Sequence, residues 1–195
     1  MTAAVLDDPL GSKSPLPPHV AMLSHAIRWI AVAWIGWGLV QVWTRWSDFE
    51  AIKRGWGHYL KQDLSALPVE HYWVAFAVVL IDWAIAAVIV VFVWRLFGCY
   101  LRGKIFSAVA VREMRLLGFA GVVAVGADIL ARPLIQAIFS LHLAGAKPTS
   151  GVWPPSGVWI EPNDLLHLLM ALALVALAVI FKSGVEIAED HRQIV

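Results

Sequence analysis

Four apolar stretches, each long enough to cross a bilayer, take up most of this 195-residue chain and leave few folds open to it. A spanning helix needs roughly 20 mostly apolar residues. In lipid the backbone must satisfy its own hydrogen bonds, so the four stretches are read as helices. The composition agrees: 60% of residues are hydrophobic and 15% charged, where a soluble domain has about 25% charged residues. The mean hydropathy is +0.73. The expected architecture is all-α, a polytopic integral membrane protein built as a four-helix bundle over residues 22–185. A disordered cytoplasmic tail (1–21) and a polar cytoplasmic tail (186–195) flank it. Nothing is left over for a folded soluble domain.

The first span is placed at residues 22–46, with Trp29, Trp43 and Trp46 near its ends, where aromatic rings prefer the interface. Gly36 and Gly38 offer a site of close helix packing. The second span, 71–97, is interrupted by Asp82. The third, 112–142, is interrupted by Asp128, Arg132 and Pro133, and the fourth, 164–181, carries no internal charge. The first loop, with DFEAIKRGWGHYLKQDL, reads as an amphipathic surface segment that Gly55 and Gly57 keep from forming one continuous helix. The second loop is short and basic. The third, with KPTSGVWPPSGVWIEPND, reads as an interfacial hairpin around Trp153 and Trp159.

The opening residues, with Asp7, Asp8 and PLPP, lack the basic start and apolar core of a signal peptide, so the first span serves as an uncleaved insertion signal. With the N-terminus inside, nine basic residues fall on the inner side and five on the outer, which favours both termini in the cytoplasm. A net charge of +1 with no basic block gives no footing for nucleic acid. The lone Cys99 excludes an intrachain disulfide, and its bland reading is a buried or interfacial residue, with lipidation or redox sensing as the alternatives.

Charge at mid-bilayer costs at least ~2.5–3.5 kcal/mol, so Asp82, Asp128 and Arg132 are expected to face protein or water. Asp128 and Arg132 are neighbours on one helical face, in the favourable acid-first order. Pro133 frees the carbonyl of Ile129 and so favours a kink there. At ~1.5 Å per residue, Asp82 lies about 16 Å below the outer end of its span and Asp128 about 24 Å above the inner end of its own. The three therefore fit one intramembrane polar network. Two carboxylates with one guanidinium leave a surplus negative charge, which calls for a protonated Asp or a visiting cation. Ala120, Ala124, Ala127 and Ala131 form a small-residue stripe beside this face and are expected to pack closely against another helix.

His71, His142 and His167 map near the outer ends of three spans, which raises haem b between facing imidazoles as the enzyme-like alternative and a metal site as a further one; the simpler reading is interfacial polar residues and no cofactor. Phosphate-binding loops, HExxH, CxxC and GxSxG are all missing from the sequence. No internal repeat supports an inverted-repeat transporter. Glu186, Glu189 and Asp190 form an acidic cluster that could dock a partner beside the basic second loop.

Two stretches, LRGKIFSAVAVREMRLLGFAGV and LLHLLMALALVALAVIFKSGVEIAEDHRQIV, resemble the DUF2975 family of small bacterial membrane proteins. The resemblance is carried by Gly103, Ile105, Phe106 and Ser107, by Arg115 with Gly118, and by Phe181, Gly184, Glu189, Asp190 and Val195. It implies a bacterial inner-membrane protein of four spans, in a family with no assigned activity whose genes often lie near a small helix-turn-helix regulator. The Trp-rich first and third loops depart from the family pattern. Read physically, Gly103 and Ser107 make a turn and a helix cap, and Lys182 and Gly184 mark the end of the last helix. The expected function is a non-enzymatic sensor or modulator of a cytoplasmic or membrane protein partner. A redox protein using haem b and a small transporter or channel along Asp82, Asp128 and Arg132 are the alternatives. The lipid bilayer is a partner in every reading, and a homo-oligomer is compatible with each.

Overall fold

The structure is a computed structural model that describes residues 17–60, 63–105, 107–141 and 160–193. These residues form five helices and no strand: α1 (Pro18–Trp46), α2 (Phe49–Leu60), α3 (Val69–Leu101), α4 (Ala108–Leu141) and α5 (Pro162–Gln193). Four of them are long and apolar enough to cross a membrane, so the chain is an all-helical, multi-pass membrane protein. In the most apolar stretch of each, no more than 17% of the residues are buried inside the protein. Side chains such as Trp37, Ile81, Phe119 and Leu169 point outward, as lipid-facing residues must.

Each long helix extends beyond its apolar run. The last is the clearest case: α5 continues as helix to Gln193, so Lys182 and Gly184 lie inside it and do not terminate it, and residues 186–193 are its last turns. The expected hairpin around Trp153 and Trp159 lies outside the described residues, as does His142.

α2 overturns the expectation for the first loop. Asp48 accepts a hydrogen bond from the Ala51 N–H at 2.9 Å, capping a helix that runs through both Gly55 and Gly57. Its apolar face explains why it forms despite the glycines. Phe49, Ile52, Trp56 and Leu60 recur at helical spacing and pack on Trp46, Tyr72 and Phe139. Ring centroids are 4.7 Å apart for Phe49 and Tyr72 and 5.3 Å for Trp56 and Phe139. Burial of this face outweighs the propensity cost of about 1 kcal/mol per glycine. Trp46, expected at the interface, is instead buried in this cluster, whereas Trp29 and Trp43 are exposed as expected.

At the opposite end, Leu96, Cys99, Ala110, Met114, Leu117 and Ala178 form a second buried cluster that joins α3, α4 and α5. The turn between α3 and α4 belongs to it. Gly103 has φ +74°, its N–H bonds to the Tyr100 carbonyl, and the Lys104 N–H bonds to the Cys99 carbonyl, the paired closure of a Schellman motif. Ser107 Oγ then accepts from the Ala110 N–H and caps α4.

The most extensive packing is of α4 against α5 and against α3, and α1 packs on α3. α4 meets α5 at Gly118 and Gly121, where an added methyl on Gly118 would lie 2.6 Å from the Val175 side chain and 3.0 Å from the Ala171 carbonyl. The close seam therefore runs through these glycines. The alanine stripe lies elsewhere on α4: Ala124, Ala127 and Ala131 border cavities, with Ala127 and Ala131 opposite Val78, Ile81 and Ile85 of α3 and Ala131 buried. α1 leans on α3 through Trp83, whose Nε1 donates to the Ile35 carbonyl at 3.2 Å and which lies 3.6 Å from the position of a methyl added to Gly38. Gly36 meets nothing within 4 Å.

Candidate intramembrane polar site

Between the two apolar clusters the bundle is polar. Asp82 lies thirteen residues into α3 and Asp128 thirteen residues before the end of α4, so in these antiparallel helices both carboxylates stand about 20 Å from the same end of the bundle. Arg132, one turn further along α4, ion-pairs with Asp128, as the four-residue spacing requires.

The guanidinium has a stronger partner that the sequence reading missed. Arg132 donates from Nη1 to Asp164 Oδ2 at 2.8 Å and from Nη2 to Asp164 Oδ1 at 2.7 Å. This is the bidentate fork that makes arginine–carboxylate pairs strong and directional. The side chain of Asp164 is 4% exposed. Its Oδ2 also accepts from the Glu161 N–H at 2.8 Å, the reach-back half of a capping box, with Pro162 in the first helical position. One carboxylate thus caps α5 and fastens it to α4. The carboxylate of Glu161 lies 3.8 Å from the guanidinium. Asp164 looked unremarkable because acids are common in the first turn of any helix.

Asp82 is different. It makes no hydrogen bond or ion pair among the described residues, and it faces open space. A cavity of about 940 Å³ is bordered by Asp82, Asp128 and Arg132 together with Trp46, Ile52 and Trp56. A second, of about 390 Å³, lies among α1, α3, α4 and α5 and is bordered by Asp82, Asp128, Asp164 and His167. The two spaces share Asp82 and Asp128. The three charges expected in one network therefore border one cavity, but the hydrogen-bonded core is Asp128, Arg132 and Asp164.

His167 is exposed and borders the second cavity, while His71, in the first turn of α3, borders neither. No group of three His, Cys, Asp or Glu among the described residues is arranged to hold a metal ion. Glu186, Glu189 and Asp190 ride on the final turns of α5.

A second ion pair also escaped the sequence reading. Glu113 on α4 is 2% exposed and receives a 2.7 Å hydrogen bond from Arg95 on α3. Arg95 stands at the end of the second span and Glu113 where the third begins. Their pairing could be found only once the two helices were placed side by side.

Fold and site together define a multi-pass helical membrane protein with an acidic cavity at mid-depth. The chain belongs to the DUF2975 family: the model of that family, described as a protein of unknown function, matches residues 57–195. The match takes in the third loop and part of the first, which had been set apart as departures from the family pattern. Comparisons with curated proteins and with solved structures give no match.

Proposed function

We propose that this chain is a non-enzymatic sensor of the bacterial inner membrane, with both termini cytoplasmic. It takes a cationic amphiphile into the cavity beneath α2 and passes its occupancy to a protein partner. The observation that carries this reading is Asp82, a carboxylate in an apolar helix that borders a cavity and makes no hydrogen bond or ion pair among the described residues. Asp128 and Asp164 each have an ion pair with Arg132. A cationic headgroup on Asp82 would offset the surplus negative charge, while Trp46, Ile52, Trp56 and Val79 offer an apolar wall to an alkyl chain. Because Arg132 fastens α5 to α4 beside this cavity, occupancy can bias α5 and its acidic end at Glu186, Glu189 and Asp190.

The test is thermal unfolding of the purified protein in nanodiscs with dodecylamine, with dodecanol as the uncharged control. Dodecylamine should raise the Tm of the wild type, and Asp82→Asn should bind it about tenfold more weakly. An equal response in the variant, or to dodecanol, rejects the reading. Partner docking is tested separately, by loss of a crosslinked membrane or cytoplasmic protein on deletion of residues 186–195.

A polar conduction path is a second reading, favoured because Asp82 and Asp128 border both cavities. It requires flux in proteoliposomes that Asp128→Asn alters; unchanged flux removes it. The sensor reading is cofactor-free, and a Soret band in the purified protein would replace it with the haem b alternative.

A further inference from the structure

At the end of the bundle that carries the α3–α4 turn, a separate cavity of about 340 Å³ opens among α1, α3 and α4. Arg28, Arg95 and Arg102 border it, with Glu113 as the acid among them. Two of these groups are incompletely satisfied. Arg28 lies with its guanidinium carbon 3.6 Å from the centre of a Trp94 ring, and its buried Nε has no hydrogen-bond acceptor. Stacking on an indole face uses the flat side of a guanidinium and leaves its N–H edge free for an anion. Glu113 Oε1 takes the hydrogen bond from Arg95, but its buried Oε2 has no donor. A buried polar atom without a partner is costly, and an unpartnered donor and acceptor on two residues that border one cavity favour a ligand that supplies the complement of both.

We propose that this cavity binds a phospholipid headgroup that carries a phosphodiester and a hydrogen-bond donor, such as phosphoethanolamine or phosphoglycerol. The phosphate oxygens accept from Arg28, Arg95 and Arg102, and the terminal ammonium or hydroxyl donates to Glu113 Oε2. Three arginines against one carboxylate leave a local surplus of positive charge, which suits a phosphate. The exposed Val109 on the cavity border and the outward-facing helix surfaces give the acyl chains a lipid-side exit. Basic recesses between spanning helices are recurrent headgroup sites for this electrostatic reason. The site is independent of the Asp82 cavity.

Native mass spectrometry of the full chain, with phosphatidylethanolamine, phosphatidylglycerol, phosphatidylcholine and inorganic phosphate added in turn, tests the assignment. Phosphatidylcholine has the phosphate without the donor, so it should bind about tenfold more weakly than the first two. Arg102→Gln should weaken binding of all three lipids; Arg102 is exposed and its recorded side-chain bond is to Cys99 Sγ, so the fold should tolerate the change. Glu113→Gln should narrow the gap between phosphatidylethanolamine and phosphatidylcholine. Equal retention of all three lipids overturns the contact between the headgroup donor and Glu113, and retention unchanged in Arg102→Gln overturns the cavity as the lipid site. Inorganic phosphate that binds as tightly as the lipids, in an Arg102-dependent way, overturns the lipid source and leaves a soluble phosphate site.

Discussion

Arg132 holds the centre of this protein because a guanidinium can serve two carboxylates at once, Asp128 along its own helix and Asp164 across the α4–α5 interface. Removing one member of a pair this enclosed leaves a charge with no counterpart, at a cost of about 3–5 kcal/mol. Arg132→Gln should therefore lower the Tm in nanodiscs far more than Asp82→Asn does, because Asp82 has no such pair to lose. Equal effects would show that the fork is not structurally important. Outside the membrane, the Ser65 N–H donates to Asp63 Oδ1 at 2.9 Å in the α2–α3 connection and holds this carboxyl below the usual carboxylate range. A lowered folded pKa stabilises the turn above the unfolded value of ~3.9, and that contribution is lost as pH falls through the folded value. A carboxyl NMR titration should place the Asp63 midpoint below ~3.9, and a midpoint at or above it would remove the hydrogen bond from the account. The sequence made Asp82, Asp128 and Arg132 visible because each interrupts an apolar run. Asp164 and Glu113 stayed hidden because they sit near helix starts, where polar residues are ordinary.

Among the helices, α4 carries most of the organisation, with one face closed on α5 through Gly118 and Gly121 and another turned to the cavities. The methyl of Gly118→Ala would meet the backbone of α5, at 2.9 Å from the Val175 nitrogen, and a backbone cannot rotate away. The helices must separate, at a cost of about 1–3 kcal/mol. Gly126→Ala, in the same helix with nothing within 4 Å, should be neutral or stabilising by up to ~1 kcal/mol. Thermal unfolding of the two variants side by side checks this, and similar Tm values would remove the seam. α2 teaches the converse lesson about local rules. Two glycines argued against a continuous helix, but four apolar side chains at helical spacing found a surface in Trp46, Tyr72 and Phe139. The periodicity was in the sequence; that surface was not.

At the scale of the whole molecule, an apolar cluster stands at each end of the bundle with a polar space between them. The large cavity extends from Asp82 to Thr44, Arg45 and Asp48 at the α1–α2 end. That arrangement predicts access from one side. In a Cys99→Ser background, which removes the buried native thiol, Asp82→Cys should react with a membrane-impermeant thiol reagent supplied from the α1–α2 side, through the large cavity. It should react at least tenfold more slowly when the reagent is supplied from the α3–α4 turn side, where the Leu96 and Leu117 cluster intervenes. Equal rates from both sides would mean a continuous path and favour conduction over sensing. By itself the amino-acid sequence determined the number of spans, their helical character and the presence of charge within two of them, because hydropathy and spacing are local properties of a chain. Only the tertiary structure decided which charges are paired: Asp164 reaches Arg132 from thirty-two residues away, Arg95 reaches Glu113, and Asp82 borders a cavity without an ion pair of its own. Whether a buried charge is satisfied depends on what other helices bring to it, and that is a property of packing.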